Sequence, residues 1–265
     1  CHSVSAEEYI DMVQDTLRVF GGSFKKAMLC RRWKVPNHGF FPIYAWKALR
    51  NAFPNTFTWL VTCPVAGTWI GASPELLLEQ QGAKAQSWSL AGTRHQNRPS
   101  GWTEKEKEEQ DLVTRHIRSS MSSFGLKNML EIGPEETTMG NLQHLATRLS
   151  GTLPEADTET GLRLARLMHP TPAIGGTPTE AALNFIQEKE KQNRGYYAGF
   201  MGLLEPEALR LRLYVNLRCA SLGPEAHWIF AGAGITKLSS PEAEAQETER
   251  KADLIRPFLT LRPQG

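Results

Sequence analysis

Acidic residues recur in this sequence at the spacing by which a helix sets two groups side by side. Glu244 and Glu247 stand three apart after Ser239-Ser240-Pro241, a serine cap with proline in the first turn, and Lys251 follows four residues on. Glu106 and Glu109 repeat the pattern within TEKEKEEQDLVTRHIRSSM. Like charges so placed repel unless a cation lies between them. A hard ion such as Mg²⁺ takes carboxylate oxygens and completes its octahedron with water and substrate oxygens. The same residues also suit two solvated acidic helices, one with an internal Glu247–Lys251 pair. Spacing alone leaves both readings open.

Other groups could serve proton transfer or anion binding. Lys25 and Lys26 stand at the entrance of an apolar run, Phe24 to Arg31, where lysines are ordinarily solvated. In a strand the two would leave opposite faces. Glu75 follows Pro74 at a strand junction, a common place for a turn carboxylate. His169 opens HPTPAIGGTP, whose prolines and glycines make a rigid irregular loop of the kind that often carries function. Gly232 and Gly234 flank Ala233, and glycine backbone there permits the close approach of a ligand, an anion cradle among the options.

The elements that must position these groups can be read from periodicity. Ser5-Ala6-Glu7-Glu8 reads as a capping box, with Tyr9, Met12, Val13, Leu17 and Phe20 at helical spacing and Gly21-Gly22 as the stop. Further helices are expected at 43–50, at 103–121 with Leu112, Val113, Ile117 and Met121 buried, at 158–168, at 178–190, and from Ser239 onward. A strand at 24–31 precedes an antiparallel meander of 57–63, 69–72, 76–80 and 85–90, closed by a glycine turn at Ala91-Gly92-Thr93-Arg94. Strands follow at 129–132, 142–153, 196–203, 209–219 and 226–231.

With 265 residues, 40% of them hydrophobic, the chain is long enough to bury a core without staples. A net charge of +2 gives no electrostatic footprint for nucleic acid or an anionic membrane, and no apolar run reaches spanning length. Four scattered cysteines without a C-x-x-C pair exclude a cysteine metal site and fit a reduced, cytosolic setting. The chain begins at Cys1 without a methionine, so an N-terminal part is expected to be missing, and no linker divides 1–265 into separate domains.

In order along the chain, Lys26-Ala-Met-Leu-Cys-Arg31, Gly71-Ala-Ser-Pro-Glu75, Leu90-Ala-Gly-Thr93, Glu106-x-x-Glu109, His169-Pro-Thr-Pro-Ala-Ile-Gly-Gly176, Arg194-Gly-Tyr-Tyr-Ala-Gly199, Leu217-Arg218, Ala231-Gly-Ala-Gly-Ile235 and Glu244-x-x-Glu247 together resemble the chorismate-utilising enzymes over nearly the whole chain. The branch most similar is isochorismate synthase, of the menaquinone or catecholate-siderophore type. The resemblance implies an α+β fold of two mixed, mainly antiparallel sheets packed as a sandwich with helices outside. It also implies a longer N-terminal region than this chain has.

The resemblance assigns roles. Lys26 matches the family's base and Glu75 its acid, for adding water at C2 of chorismate while hydroxide leaves C4. Mg²⁺ would be held by Glu109 and Glu247, with Glu106 and Glu244 holding its waters. Arg218, Tyr197 and the Gly232 backbone would bind the enolpyruvyl carboxylate, Lys251 would lie near the ring carboxylate, and His169 and Ala173 would line the substrate. Relatives that use ammonia lack the lysine, and relatives that go on to eliminate pyruvate tend to carry threonine where Ala173 stands. Chorismate is the expected partner and a monomer the expected state. A salicylate synthase or a non-catalytic chorismate binder are the competing readings.

Overall fold

The computed structural model describes residues 2–20, 24–95, 101–139 and 142–261. Chain order runs α1 (Ala6–Val19), β1 (Lys26–Pro36), α2 (Pro42–Ala52), β2 (Phe57–Cys63), β3 (Gly67–Ser73), β4 (Leu76–Gln81) and β5 (Lys84–His95). Then come α3 (Glu104–Phe124), β6 (Lys127–Met139), β7 (Leu142–Thr152), α4 (Thr158–Met168), β8 (Gly176–Thr177) and α5 (Thr179–Lys189). The last third holds β9 (Phe200–Glu205), β10 (Arg210–Val215), β11 (Cys219–Leu222), β12 (Ala226–Ile235) and α6 (Pro241–Asp253). Single 3-10 turns follow β9 and α6.

The chain forms two compact units, one of residues 1–74, 176–198 and 216–265, the other of 75–175 and 199–215. Each carries a six-stranded sheet, ordered β2-β3-β11-β12-β1-β8 in the first and β6-β7-β5-β4-β10-β9 in the second. Sheets and helices together make the expected α+β fold, and every strand pairing among the described residues is antiparallel.

In the first unit, β1 and β12 form the longest pairing, from Ala27 opposite Ile235 to Pro36 opposite Ala226. One apolar cluster joins Tyr9 and Val13 of α1, Leu29 of β1, Ile186 of α5 and Ala245 of α6. A second joins Leu49 of α2 to Trp33, Ile70 and Ile229 on the sheet, and to Leu259 near the chain's end. The capping box forms as expected, with Ser5 Oγ accepting from Glu8 N at 3.1 Å and Glu8 Oε2 from Ser5 N at 2.7 Å. The glycines meant to stop that helix lie outside the described residues. α2 starts earlier than its apolar pattern, because Pro42 occupies the first turn.

In the second unit, α3 lies on β5 and β7 through a seam that is part apolar and part polar. Val113, Ile117 and Met121 are buried as expected, whereas Leu112 is only half-buried. Beside them Gln110 Nε2 donates to Ser89 O at 3.2 Å and to Thr147 Oγ1 at 2.9 Å, and Thr114 Oγ1 donates to Ser89 Oγ at 3.0 Å. Buried hydrogen bonds of this kind fix the rotation of a helix more tightly than an apolar seam does.

Four sequence expectations are corrected. The meander does not continue through Pro74: β2 and β3 lie in one sheet, β4 and β5 in the other. Residues 209–219 are two strands of different sheets, separated by Asn216-Leu217-Arg218. The 91–94 stretch continues β5, with Gly92 forming a bulge where the pairing passes from Ala91–Leu145 to Thr93–His144. The strand expected from 196 begins at Phe200.

Candidate active site

In the first unit the strand that opens with Lys26 sets the frame. Lys26 is 2% exposed at the first position of β1, whereas Lys25, one residue before the strand, is exposed. Among the described residues the Lys26 amine has no ion-pair partner. β8 comes close to this point because Gly176 has φ +139; a Cβ there would lie 2.2 Å from the Lys26 carbonyl oxygen.

Opposite β1 runs the glycine segment. Gly232 and Gly234 lie in regular β12 strand, paired with Cys30 and Met28. What makes Gly232 special is its neighbours. Cys30 sends its own N–H and C=O to Glu190 and Gln192, away from β12, so Gly232 turns its main-chain groups to the other side. There β11 has already ended, with Cys219 opposite Phe230. The Gly232 carbonyl accepts from Lys251 Nζ at 2.9 Å. A Cβ on Gly232 would lie 3.0 Å from the Tyr197 hydroxyl and 2.8 Å from the Leu29 carbonyl, so only glycine admits Tyr197 here without displacement.

Tyr197 is buried and its ring stacks on Phe230 at 5.8 Å, which stacks in turn on Trp69 at 5.5 Å. Burial, then the neighbouring Cys30, push its phenol pKa well above the ordinary value, so it stays a hydrogen-bond donor. Arg218, between β10 and β11, is half-buried with φ +49, an uncommon backbone for a residue with a side chain. Its carbonyl accepts from Ala72 N at 3.1 Å.

α6 brings the acidic pair. Ser240 caps it through Ala243 N, and Glu249 on its flank accepts from Arg31, Trp33 and Arg256, fixing the helix to β1. That anchorage leaves Glu244 1% exposed and Glu247 paired with Lys251 at 2.7 Å. The negative charge here is felt by Tyr9, whose hydroxyl donates to the Leu29 carbonyl at 3.1 Å. Burial and then Glu244 and Glu247 raise its pKa well above the phenolic range. Glu244 and Glu247, three apart on α6, offer carboxylate oxygens of the kind that Mg²⁺ takes.

The second unit holds the other expected residues. Glu75 is 5% exposed, and its carbonyl accepts from Val215 N at 2.9 Å, where the chain leaves one sheet for the other. Glu106 and Glu109 are half-buried on the first two turns of α3. The Glu106 carboxylate already has work: Oε2 accepts from Thr103 N at 2.8 Å and Oγ1 at 3.1 Å, closing a capping box that T-x-x-E announces. Among the described residues no set of three or more His, Cys, Asp and Glu side chains forms a metal cluster. His169 ends α4, its ring edge-on to Phe200 at 5.1 Å. His116 Nε2 donates to the preceding Met168 carbonyl at 2.8 Å, tying α3 to the start of this loop. Ala173 is half-buried in a turn closed by Ile174 N and Gly175 N on the Thr171 carbonyl.

Sequence reading missed a buried ion pair beside Tyr197. Arg194 grips Glu190 with two bonds, Nε to Oε2 at 2.7 Å and Nη2 to Oε1 at 2.6 Å. Burial works against the Arg194 charge, but Glu190 outweighs it and the guanidinium pKa is raised. The i, i+4 spacing within Glu190-Lys-Gln-Asn-Arg194 was the available signal.

A family profile described as Chorismate binding enzyme matches residues 1–260. The isochorismate synthase EntC of Escherichia coli (strain K12) is 34% identical over 205 residues, covering 74% of this chain and 52% of that protein. The vibriobactin-specific isochorismate synthase of Vibrio cholerae is 29% identical over 265 residues, covering 96% of this chain and 67% of that one. The chain thus spans about half the length of the first of these relatives. Among solved structures, DhbC from Bacillus anthracis, assigned to the 2,3-dihydroxybenzoate-specific isochorismate synthases, superposes with TM-score 0.89 at 27% identity over 97% of this chain and 73% of its own. Anthranilate synthase component I from Streptococcus pneumoniae shares the fold, with TM-score 0.81 at 23% identity over 96% of this chain and 58% of its own.

Proposed function

Because the chain belongs to the chorismate-binding enzyme family, we propose that it is an isochorismate synthase that converts chorismate to isochorismate with Mg²⁺. The fold alone does not choose this reaction, since an anthranilate synthase component shares it. The choice rests on Lys26, a buried amine at the head of β1 in a position where ammonia-using relatives lack lysine.

In this reading the Lys26 amine takes a proton from the water that attacks C2, and Glu75 gives one to the hydroxyl leaving C4. The enolpyruvyl ether stays intact. Arg218, the Tyr197 hydroxyl and Gly232 hold the enolpyruvyl carboxylate, while His169 and Ala173 line the ring. Glu109 and Glu247 would hold Mg²⁺ directly, and Glu106 and Glu244 through water. The ion supplies charge neutralisation at the ring carboxylate, near Lys251. The enzyme would act as a monomer in the reduced cytosol, where Cys30, Cys63 and Cys219 stay free thiols. Its product would feed menaquinone or a catecholate siderophore.

The test is product identification after incubation with chorismate and Mg²⁺. Isochorismate is the expected product; salicylate with pyruvate would make the chain a salicylate synthase, and binding without turnover a non-catalytic homologue. Ala173→Thr is expected to lower isochorismate output as the added hydroxyl crowds the product. An unchanged rate with no pyruvate would remove Ala173 from that role.

A further inference from the structure

The pairing of β1 stops short on one side. β8 covers only Lys26 and Ala27, and beyond it the outward main-chain groups of β1 meet side chains instead of a strand. The Met28 carbonyl accepts from Arg194 Nη2 at 2.5 Å, Cys30 N donates to Glu190 Oε1 at 2.6 Å, and the Cys30 carbonyl accepts from Gln192 Nε2 at 2.8 Å. Three side chains from one short segment thus do the work of a neighbouring strand.

The same segment carries Tyr197. Its N–H donates to the Arg194 carbonyl at 3.0 Å, so Tyr197 stands one tight turn beyond the arginine. Gly195 inside that turn has φ +55 and lies against the Trp69 ring. Asn216 closes the far side: its N–H₂ donates to the Tyr196 carbonyl at 2.7 Å, and its carbonyl accepts from Ala198 N at 2.9 Å. The Tyr197 hydroxyl then reaches the face of Gly232, the residue opposite Cys30. A loop is therefore referenced to β1 at one end and delivers a phenol to β12 at the other.

We propose that Glu190 and Arg194 are positioning residues for substrate recognition: the pair locks the Tyr197 turn to β1 and so fixes the Tyr197 hydroxyl over Gly232. A purely structural clamp would need only the backbone bonds. The bidentate fork adds direction, since a guanidinium held at two nitrogens cannot pivot as an ammonium would. This inference rests on the reading that Tyr197 and Gly232 hold the substrate's carboxylate.

The experiment compares Arg194→Lys with the neutral double variant Glu190→Gln/Arg194→Gln, which strands no buried charge. Each is made in the wild-type and Tyr197→Phe backgrounds. Chorismate KM should rise roughly tenfold with a smaller change in kcat, as loss of one charge-assisted contact predicts. In the Tyr197→Phe background the same substitutions should add little further. Full additivity, or a lowered melting temperature with unchanged KM, would overturn the inference. Amide hydrogen exchange gives a second readout that needs no activity. Peptides over 28–30 and 195–198 should exchange faster in Arg194→Lys while those over β2 and β3 hold. Should the wild type fail to turn over chorismate, the proposed function falls. Unaltered exchange at 195–198 sinks the positioning role in either case.

Discussion

The two helices that carry E-x-x-E reach their places by different physics. α6 is pressed onto its sheet, with Glu244 buried, Glu247 held by Lys251, and Glu249 fastened to Arg31, Trp33 and Arg256. α3 shows its acids nearer to solvent, and Glu106 is engaged at its own helix start. Glu244 is placed by tertiary packing, Glu106 by local capping. The same four-letter pattern therefore says less about a carboxylate's state than its surroundings do. Burial concentrates charge at α6, where a cation gains most, while α3 keeps its acids ready at modest cost.

Removing one proposed oxygen ligand from each helix attacks this contrast most strongly. Glu247→Gln and Glu109→Gln should each abolish Mg²⁺-dependent turnover with the fold intact, because amide oxygens are weaker ligands for a hard ion. Initial rates across a Mg²⁺ titration decide it. If Glu109→Gln works normally at low Mg²⁺ while Glu247→Gln is dead, α6 alone holds the ion.

Next in size are the effects at the proposed proton-transfer residues. Lys26→Ala should lower turnover on the order of 10²-fold or more, the scale of general-base catalysis. Lys25→Ala should cost little, since its side chain is exposed. Glu75→Gln should retain chorismate binding and lose chemistry, an amide having no proton to give the leaving hydroxyl. Full activity in both lysine variants would end the lysine-base mechanism.

The smallest effects separate capping from metal binding on α3. Thr103→Ala should lower stability by about 1 kcal/mol in urea unfolding, through loss of the cap. Glu106→Gln preserves the box geometry, so its stability should hold while its Mg²⁺ requirement rises. Were the two variants to behave alike, with lowered stability and no change in Mg²⁺ requirement, Glu106 would be a cap and nothing more.

Where local pattern and tertiary structure agreed, the sequence was readable. The strand at Phe57–Cys63 and the helix at Thr158–Met168 have the bounds that periodicity and punctuation suggest. The family resemblance singles out Lys26 over Lys25, and the burial of Lys26 beside the exposed Lys25 agrees with that choice. The break at Asn216-Leu217-Arg218 stayed hidden because the left-handed residue is an arginine, not a glycine, and apolar alternation runs on past it. The meander was read through Pro74 because nothing local says that consecutive strands enter different sheets. Glu190 and Arg194 pair locally at i and i+4, but the main-chain atoms of Met28 and Cys30 that they hold are distant in sequence, so their purpose was not legible. The close approach expected at the β12 glycines is seen at Gly232, where a Cβ would meet the Tyr197 hydroxyl and the Leu29 carbonyl.

The long pairing of β1 with β12 has a consequence for how the molecule is made. Ala27 must wait for Ile235, so the strand that begins with the lysine leaves the ribosome long before its main partner exists. The first unit cannot complete its sheet during synthesis until β12 has emerged, and most of the second unit is threaded into that interval. Closing such distant strands is slow, and a nascent β1 meanwhile presents an apolar ribbon to any chain nearby. Truncation before β12 should thus leave a product that depends on chaperones, even though most of its residues are present.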